Sequence, residues 1–546
     1  MFARIKKSGR HQYLQIVENR REGSKVIQRV IATLGRMDRL QAKGDIETLI
    51  RSLARYSEKA LLILSGKSDV SARSEKIGPS LIFSRLWQQL RIDKVIRDLL
   101  AERNFVFDVE RAIFLTVVHR LFASGSDRSC TRWQRDYRIE GVEHLSLHHL
   151  YRAMAFLGEV SSDQREATPF SPRCTKELIE EALFFERRDL FTGLDLVFFD
   201  TTSVYFEGAG GQSLGKKGNS KDRRPDLNQM VVGAVIDDHG KPICCEMWPG
   251  NSADVKALIP VVERIRHRFH IDKFCIVADR GMISAKTMRA LEDPQCDIPY
   301  ILGARMRKVK EIKDEVLSRP GRYKQVRPEG TSSKDPAPLK VKELWVGDNR
   351  YVVCLNTKQA RKDAQDRQRI VESLEEKIKK GAKRLIGNKG YRKYLKMKGD
   401  SVSIDQDKVE LDARFDGKWV LKTNTNLSAQ QVALKYKELW QVEQVFRDIK
   451  SILETRPIFH QRDETIRGHV FCSFLALVLK KELDRRLDSA GYSFEWADIK
   501  QDLEALQETT IDDNGKQLAI RSECQGTCGK VFQAVGVAIP PTIREI

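Results

Sequence analysis

The stretch from Leu194 to Leu302 constrains the fold more than any other part of the chain. Leu194–Phe199 (LDLVFF) is a short apolar run, broken only by Asp195 and ending at Asp200, the pattern of a central strand buried on both faces. Gln229–Ile236 and Lys241–Trp248 read as two more strands, and the turn-formers Asp237-Asp238-His239-Gly240 between them predict a hairpin. A helix follows from about Ser252, with Leu258, Ile259, Val262 and Ile265 on one face. Lys273–Ala278 is then a strand ending at Asp279, Ser284–Leu291 a helix, and Pro299–Leu302 a strand. This order describes an α/β core in which a right-handed crossover sets the strand before Asp279 parallel to its sheet neighbour. If the first and fourth strands are adjacent, Asp200 and Asp279 meet at one edge of the sheet, where open α/β sheets bind their ligands.

A chain of 546 residues holds several such units. Residues 1–75 read as a β-rich module followed by a linker helix (Ala42–Lys67) and a polar linker (Ser68–Ser74), and 76–190 as a helical domain expected to bind DNA. The α/β core takes up 191–304 and resumes at 415–490. Between these lies a basic insertion at 305–414 with strand-like and helical pieces, and 491–546 is expected to be a helical tail available for protein contact. The net charge is +20, and its location is informative: Arg305 to Lys398 carries 28 Lys or Arg against 12 Asp or Glu, and the first forty residues carry ten against three. Two concentrated basic blocks point to a polyanionic partner, nucleic acid foremost. The longest apolar run, Val470–Leu479, is far short of the ~20 residues a bilayer requires, so no membrane contact is expected. The first residues are basic without an apolar signal core, so the protein is expected to stay in the cytosol. Ten scattered cysteines are expected as reduced thiols.

After the insertion, a helix is predicted from about Ala429 to Leu453, with Leu439, Val442, Phe446, Ile449 and Leu453 as its apolar seam. Tyr436, Glu443 and Lys450, seven residues apart, form a stripe beside that seam, and Arg447 extends it. Asp200, Asp279 and Glu443 therefore constitute a candidate set of three carboxylates. Such a set suits two Mg²⁺ ions, which seek oxygen ligands and together activate one oxygen and stabilise the other in phosphodiester chemistry, with Mn²⁺ as a substitute. Tyr436 and Lys450 beside it are candidates for contacting phosphate, and Arg447 is a further candidate for contacting DNA. Gly210–Lys217 falls short of a P-loop because Lys217 stands where Ser or Thr should hold Mg²⁺, and no helix opens beyond it. Lys216 and Lys217 are instead candidates for touching DNA. Cys524 and Cys528 lack a second ligand pair for zinc, and Glu143, His144 and His148 do not form a metalloprotease motif.

Phe199-Asp200-Thr201-Thr202, Ala278-Asp279-Arg280-Gly281 and the segment Trp440–Lys450 resemble the three acidic motifs of DDE insertion-sequence transposases, and within them the IS-four group. That group carries a Tyr-x2-Arg-x3-Glu-x6-Lys signature, which Tyr436, Glu443 and Lys450 match while Leu439 stands at the Arg position. The resemblance implies an RNase H-like catalytic core, a mixed sheet with helices, interrupted by a β-rich insertion. It also implies an enzyme that binds the terminal inverted repeats of its own element as a homodimer on paired double-stranded ends. Such an enzyme cuts with metal-activated water and joins the freed ends to target DNA, a cut-and-paste reaction. The alternative is an RNase H-like DNA-binding protein or nuclease without strand transfer.

Overall fold

The computed structural model describes residues 2–22, 25–54, 71–165, 167–168, 171–187, 196–271, 274–293, 298–327, 339–379, 393–398, 401–513 and 516–546. Leu194, Asp195, Lys273, the end of the expected linker helix, the start of the polar linker and most of the Gly- and Lys-rich end of the insertion lie outside them. The chain divides into two compact units, one of Met1–Ile82, Arg135–Arg138 and Tyr492–Ile546, the other of Phe83–Gln134 and Ile139–Gly491.

In the first unit, β1 (Phe2–Ser8), β2 (His11–Glu22) and β3 (Lys25–Arg36) form an antiparallel meander, followed by helices Met37–Lys43 and Asp45–Ala54. A strand stands where the polar linker was expected, β4 (Ser71–Lys76). Its partner comes from the other end of the chain.

The second unit is organised by a nine-stranded mixed sheet. Its members are β5 (Leu196–Tyr205), β6 (Gln229–Asp237), β7 (Pro242–Pro249), β8 (Cys275–Ala278), β9 (Tyr300–Gly303), β10 (Lys324–Gln325), β11 (Leu339–Val346), β12 (Asn349–Asn356) and β15 (Lys418–Thr423), in the order β10-β11-β12-β15-β9-β8-β5-β6-β7. β13 (Leu395–Lys398) and β14 (Ser401–Ile404) form a separate hairpin. β5 pairs with the hairpin strand β6 antiparallel and with β8 parallel, as the crossover predicts. Strands of the basic insertion extend the sheet through β15 and β9 instead of standing apart from it. One face of the sheet carries helices Asp254–Phe269 and Ala285–Leu291, packed on Val197, Phe199, Ile276 and Ala278.

Two further features fix this unit. Helices Leu147–Gly158 and Asp463–Ser489 touch backbone to backbone, since a Cβ on Gly468 would come within 1.9 Å of the Met154 carbonyl oxygen. A buried ionic cluster ties helix Thr175–Arg187 to helix Asp254–Phe269 and β7. Within it, Arg268 donates to Glu180 at 2.6 Å, Glu181 at 2.7 Å and Glu246 at 3.2 Å, and Lys176 pairs with Glu177 at 2.7 Å. Buried charges persist only when paired and hydrogen-bonded in this way.

The C-terminal segment is not the all-helical tail expected. It alternates helices Trp496–Ala505 and Cys528–Val535 with β16 (Gln507–Asp513), β17 (Lys516–Arg521) and β18 (Ile543–Glu545), in a sheet ordered β18-β17-β16-β4. Glu508 is buried there beneath Arg138 and Arg544. The described cysteines are free, as expected of reduced thiols, and no described helix is long and apolar enough to cross a membrane.

Candidate active site

Strand alternation decides which way the first two acids point. Phe199 and Ala278 are register partners in the parallel β5–β8 pair, and both face the core under helix Asp254–Phe269. The next residue on each strand turns to the opposite face, so Asp200 and Asp279 stand side by side there, on strands about 4.8 Å apart. The backbone at Asp279 is still extended (φ −75°, ψ 162°), which carries the alternation one residue past β8. Asp200 differs from expectation in one respect: β5 runs on to Tyr205, so this acid lies mid-strand and only Asp279 sits at a strand end. The Asp200 carboxylate accepts the Thr201 backbone N–H at 2.7 Å.

Helix Ala429–Lys437 lies on that same face and delivers Tyr436, whose hydroxyl donates to Asp279 Oδ1 at 3.1 Å. Burial and the neighbouring Asp279 both push the Tyr436 phenol well above its ordinary range, so it stays a proton donor. The approach depends on Gly303: a Cβ there would come within 2.2 Å of the Tyr436 hydroxyl. The single long helix expected from Ala429 to Leu453 is instead three pieces. The chain tightens at Glu438–Leu439, resumes as helix Trp440–Arg447 packed across β5 and β6, and widens into a π turn at Asp448–Ile452. The apolar seam is buried as predicted, and Glu443 and Arg447 are exposed beside it. Leu439 is buried in the seam, so the signature Arg position has become a packing position.

The π turn changes where Lys450 goes. It leaves the stripe and donates to Asp222 Oδ1 at 2.7 Å, while burial draws its ammonium pKa down and Asp222 opposes that shift. Lys216 and Lys217 are exposed on the β5–β6 connection. Sequence reasoning passed over Arg305, which donates to the Arg280 carbonyl at 2.9 Å and the Gly281 carbonyl at 2.9 Å, bracing the turn after Asp279. Arg305, Arg307 and Lys308 line a cavity of about 310 Å³ beside Asp279. The signal was present, because Arg305 opens the basic block. Asp222 had no such signal.

By chemistry the three acids suit a hard divalent cation, since Asp200, Asp279 and Glu443 offer only carboxylate oxygens, but their ligand atoms are not gathered within 4.8 Å of one another in this structure; the Tyr436 bond occupies one Asp279 oxygen and leaves the other. A separate group, Asp127, His460 and His469, has ligand-type atoms within 4.8 Å of one another. His469 Nε2 donates to the Thr455 carbonyl at 3.1 Å, and Arg120 donates to Nδ1 at 2.9 Å. A guanidinium thus occupies the lone pair a metal would need, and the group reads as a buried hydrogen-bond chain. Burial works to raise the Asp127 carboxyl, but the His460 hydrogen bond and the Arg120 charge outweigh it and hold the carboxyl at about 2.

A family model described as the transposase DDE domain matches residues 192–479, and one described as the N-terminal domain of IS1634 family transposases matches residues 3–67. No curated protein matches the chain. Among solved structures, the cryo-EM piggyBac transposase synaptic complex with hairpin DNA is similar at 10% identity, over 78% of this chain and 79% of that chain, with a TM-score of 0.38. The DDE-domain match spans more than half of the residues, and the protein belongs to the DDE transposases, enzymes that cleave DNA and transfer its strands.

Proposed function

We propose that the chain excises and inserts its own insertion sequence, binding the terminal inverted repeats as a homodimer and cutting and rejoining DNA at Asp200, Asp279 and Glu443. The observation that carries this reading is the β5–β8 register, Phe199 against Ala278, which makes neighbours of two acids 79 positions apart. Glu443 is the proposed third ligand, carried by helix Trp440–Arg447, which packs across β5, the strand of Asp200. Two Mg²⁺ ions, or Mn²⁺, bound by these carboxylates would supply a deprotonated nucleophile and charge stabilisation at the leaving oxygen. The chain's own residues do the rest. Tyr436 orients the Asp279 carboxylate, Arg305 braces the turn behind it, and Lys450 with exposed Arg447, Lys216 and Lys217 meets DNA phosphates. A cluster of cations around a carboxylate centre holds the polyanion where the acids alone would repel it.

The test is cleavage of a duplex carrying the repeats that flank the coding region. Asp200→Asn, Asp279→Asn and Glu443→Gln should each abolish Mg²⁺-dependent nicking and keep DNA binding. Normal nicking by any one variant removes that residue from the site. Joined products with a target plasmid separate a transposase from a nuclease without strand transfer.

A further inference from the structure

Asp222, a carboxylate outside the acidic trio, organises the cations nearest to it. It sits in a tight turn on the β5–β6 connection, where Ser220 Oγ accepts the backbone N–H groups of Asp222 at 3.3 Å and Arg224 at 3.0 Å. The residue before it is pinned to β5: the Lys221 backbone N–H donates to Ser203 Oγ at 2.8 Å, and its ammonium donates to Thr201 Oγ1 at 2.9 Å. Asp222 Oδ1 receives both Lys450, at 2.7 Å, and Arg456. The Asp222 side chain is only 8% exposed, and its Oδ2 is buried with no hydrogen-bond partner among the described residues. The Arg456 guanidinium also lies 5.8 Å from the Tyr205 ring centroid, with Arg224 at 5.6 Å from the same ring.

A carboxylate serving stability alone is expected to satisfy both oxygens. This one spends a single oxygen on two cations. The pair therefore keeps an excess positive charge, held at one point by a turn and an aromatic ring. We infer that Asp222 is a positioning residue that sets Lys450 and Arg456 side by side as a two-cation clamp for one phosphate of the DNA strand being cut. The inference rests on the reading of Asp200, Asp279 and Glu443 as the cleavage centre. Lys221, which precedes Asp222, donates to Thr201, the neighbour of Asp200 on β5, so the clamp is tied to the strand that carries the first acid.

The experiment uses the full chain and a duplex taken from the DNA flanking the reading frame, with single-turnover cleavage and equilibrium binding measured separately. Asp222→Asn should slow cleavage about tenfold to a hundredfold, the cost of misplacing a positioning group, and weaken binding only slightly. In a Lys450→Ala background the same change should cost less than about twofold, because the two residues act as one unit. Asp222→Glu, which keeps the charge and moves it by one methylene, should recover part of the rate with an unchanged melting curve. Additive losses, or wild-type cleavage by both Asp222 variants while Lys450→Ala is impaired, would overturn the positioning role and leave the cleavage centre standing. Intact cleavage by Lys450→Ala and Arg456→Ala together would remove the clamp itself, and loss of the centre would appear separately as normal nicking by Asp279→Asn.

Discussion

The Tyr436 hydroxyl donates to Asp279 Oδ1 at 3.1 Å, joining the helix that precedes Glu443 to the strand end that carries the second acid. One hydrogen bond thus links the two halves of the catalytic sequence across the whole insertion. It engages one carboxylate oxygen of Asp279 and leaves the other outside this bond.

Tyr436→Phe removes that donor and leaves the ring in place. A hydrogen bond to a charged group contributes about 1.5–3 kcal/mol, so cleavage should fall about tenfold to a hundredfold while the fold persists. Single-turnover nicking beside a melting curve checks this. An unchanged rate would mean that Asp279 is aimed by other groups.

Gly303→Ala should reach the same end by another route. The new Cβ would lie 2.2 Å from the Tyr436 hydroxyl and 3.1 Å from the Arg280 backbone nitrogen, so the phenol must retreat from Asp279. Combined with Tyr436→Phe, it should add little further loss of cleavage. Full additivity would place its effect elsewhere.

Acid should weaken the second unit in two stages. His469 is buried, and burial with the Arg120 charge keeps its pKa well below 6.5, so the unfolded chain takes up a proton there first and stability falls as pH drops below about 6.5. Asp127, held at about 2 against an ordinary 3.8, adds stability that is present above about pH 4 and lost as pH falls towards 2. Thermal melts across this range should show both stages, and Asp127→Asn should reduce the lower one by about 2 kcal/mol. A variant with the wild-type acid profile would contradict the assignment.

Arg268→Met leaves Glu180, Glu181 and Glu246 short of a cation in a buried site. Breaking a buried pair from one side costs about 3–5 kcal/mol, and the midpoint of chemical unfolding should move accordingly. A loss near that of a surface pair, under about 1 kcal/mol, would show that water or rearrangement compensates.

Arg305, Arg307 and Lys308 border the cavity beside Asp279. If each neutralises one phosphate, replacing all three with Ala should reduce the slope of log affinity against log salt by about 2–3. Titrations at several ionic strengths measure it directly, and an unchanged slope would take these residues off the DNA path.

The local patterns of this protein were legible because they are set by neighbours in the chain. The apolar run ending at Asp200, the Asp237–Gly240 turn between two strands and the buried seam of Leu439, Val442 and Phe446 all follow from side-chain period and turn chemistry. They were enough to name three acids and to predict the parallel strand before Asp279.

Tertiary structure decided what those patterns leave open. Residue type does not say which strand lies beside β15, so the insertion's strands could not be foreseen as part of the sheet. The pairing of β4 with β16 joins Ser74 to Thr509, and nothing near either residue announces a partner so distant. Heptad arithmetic assumes an unbroken helix, whereas the tightening at Leu439 and the π turn at Lys450 change the phase and swing the ammonium onto Asp222. Period and turn propensity are properties of a few adjacent residues; register, pairing and the partners of a buried charge depend on which distant segments exclude water together, and only the folded chain settles that.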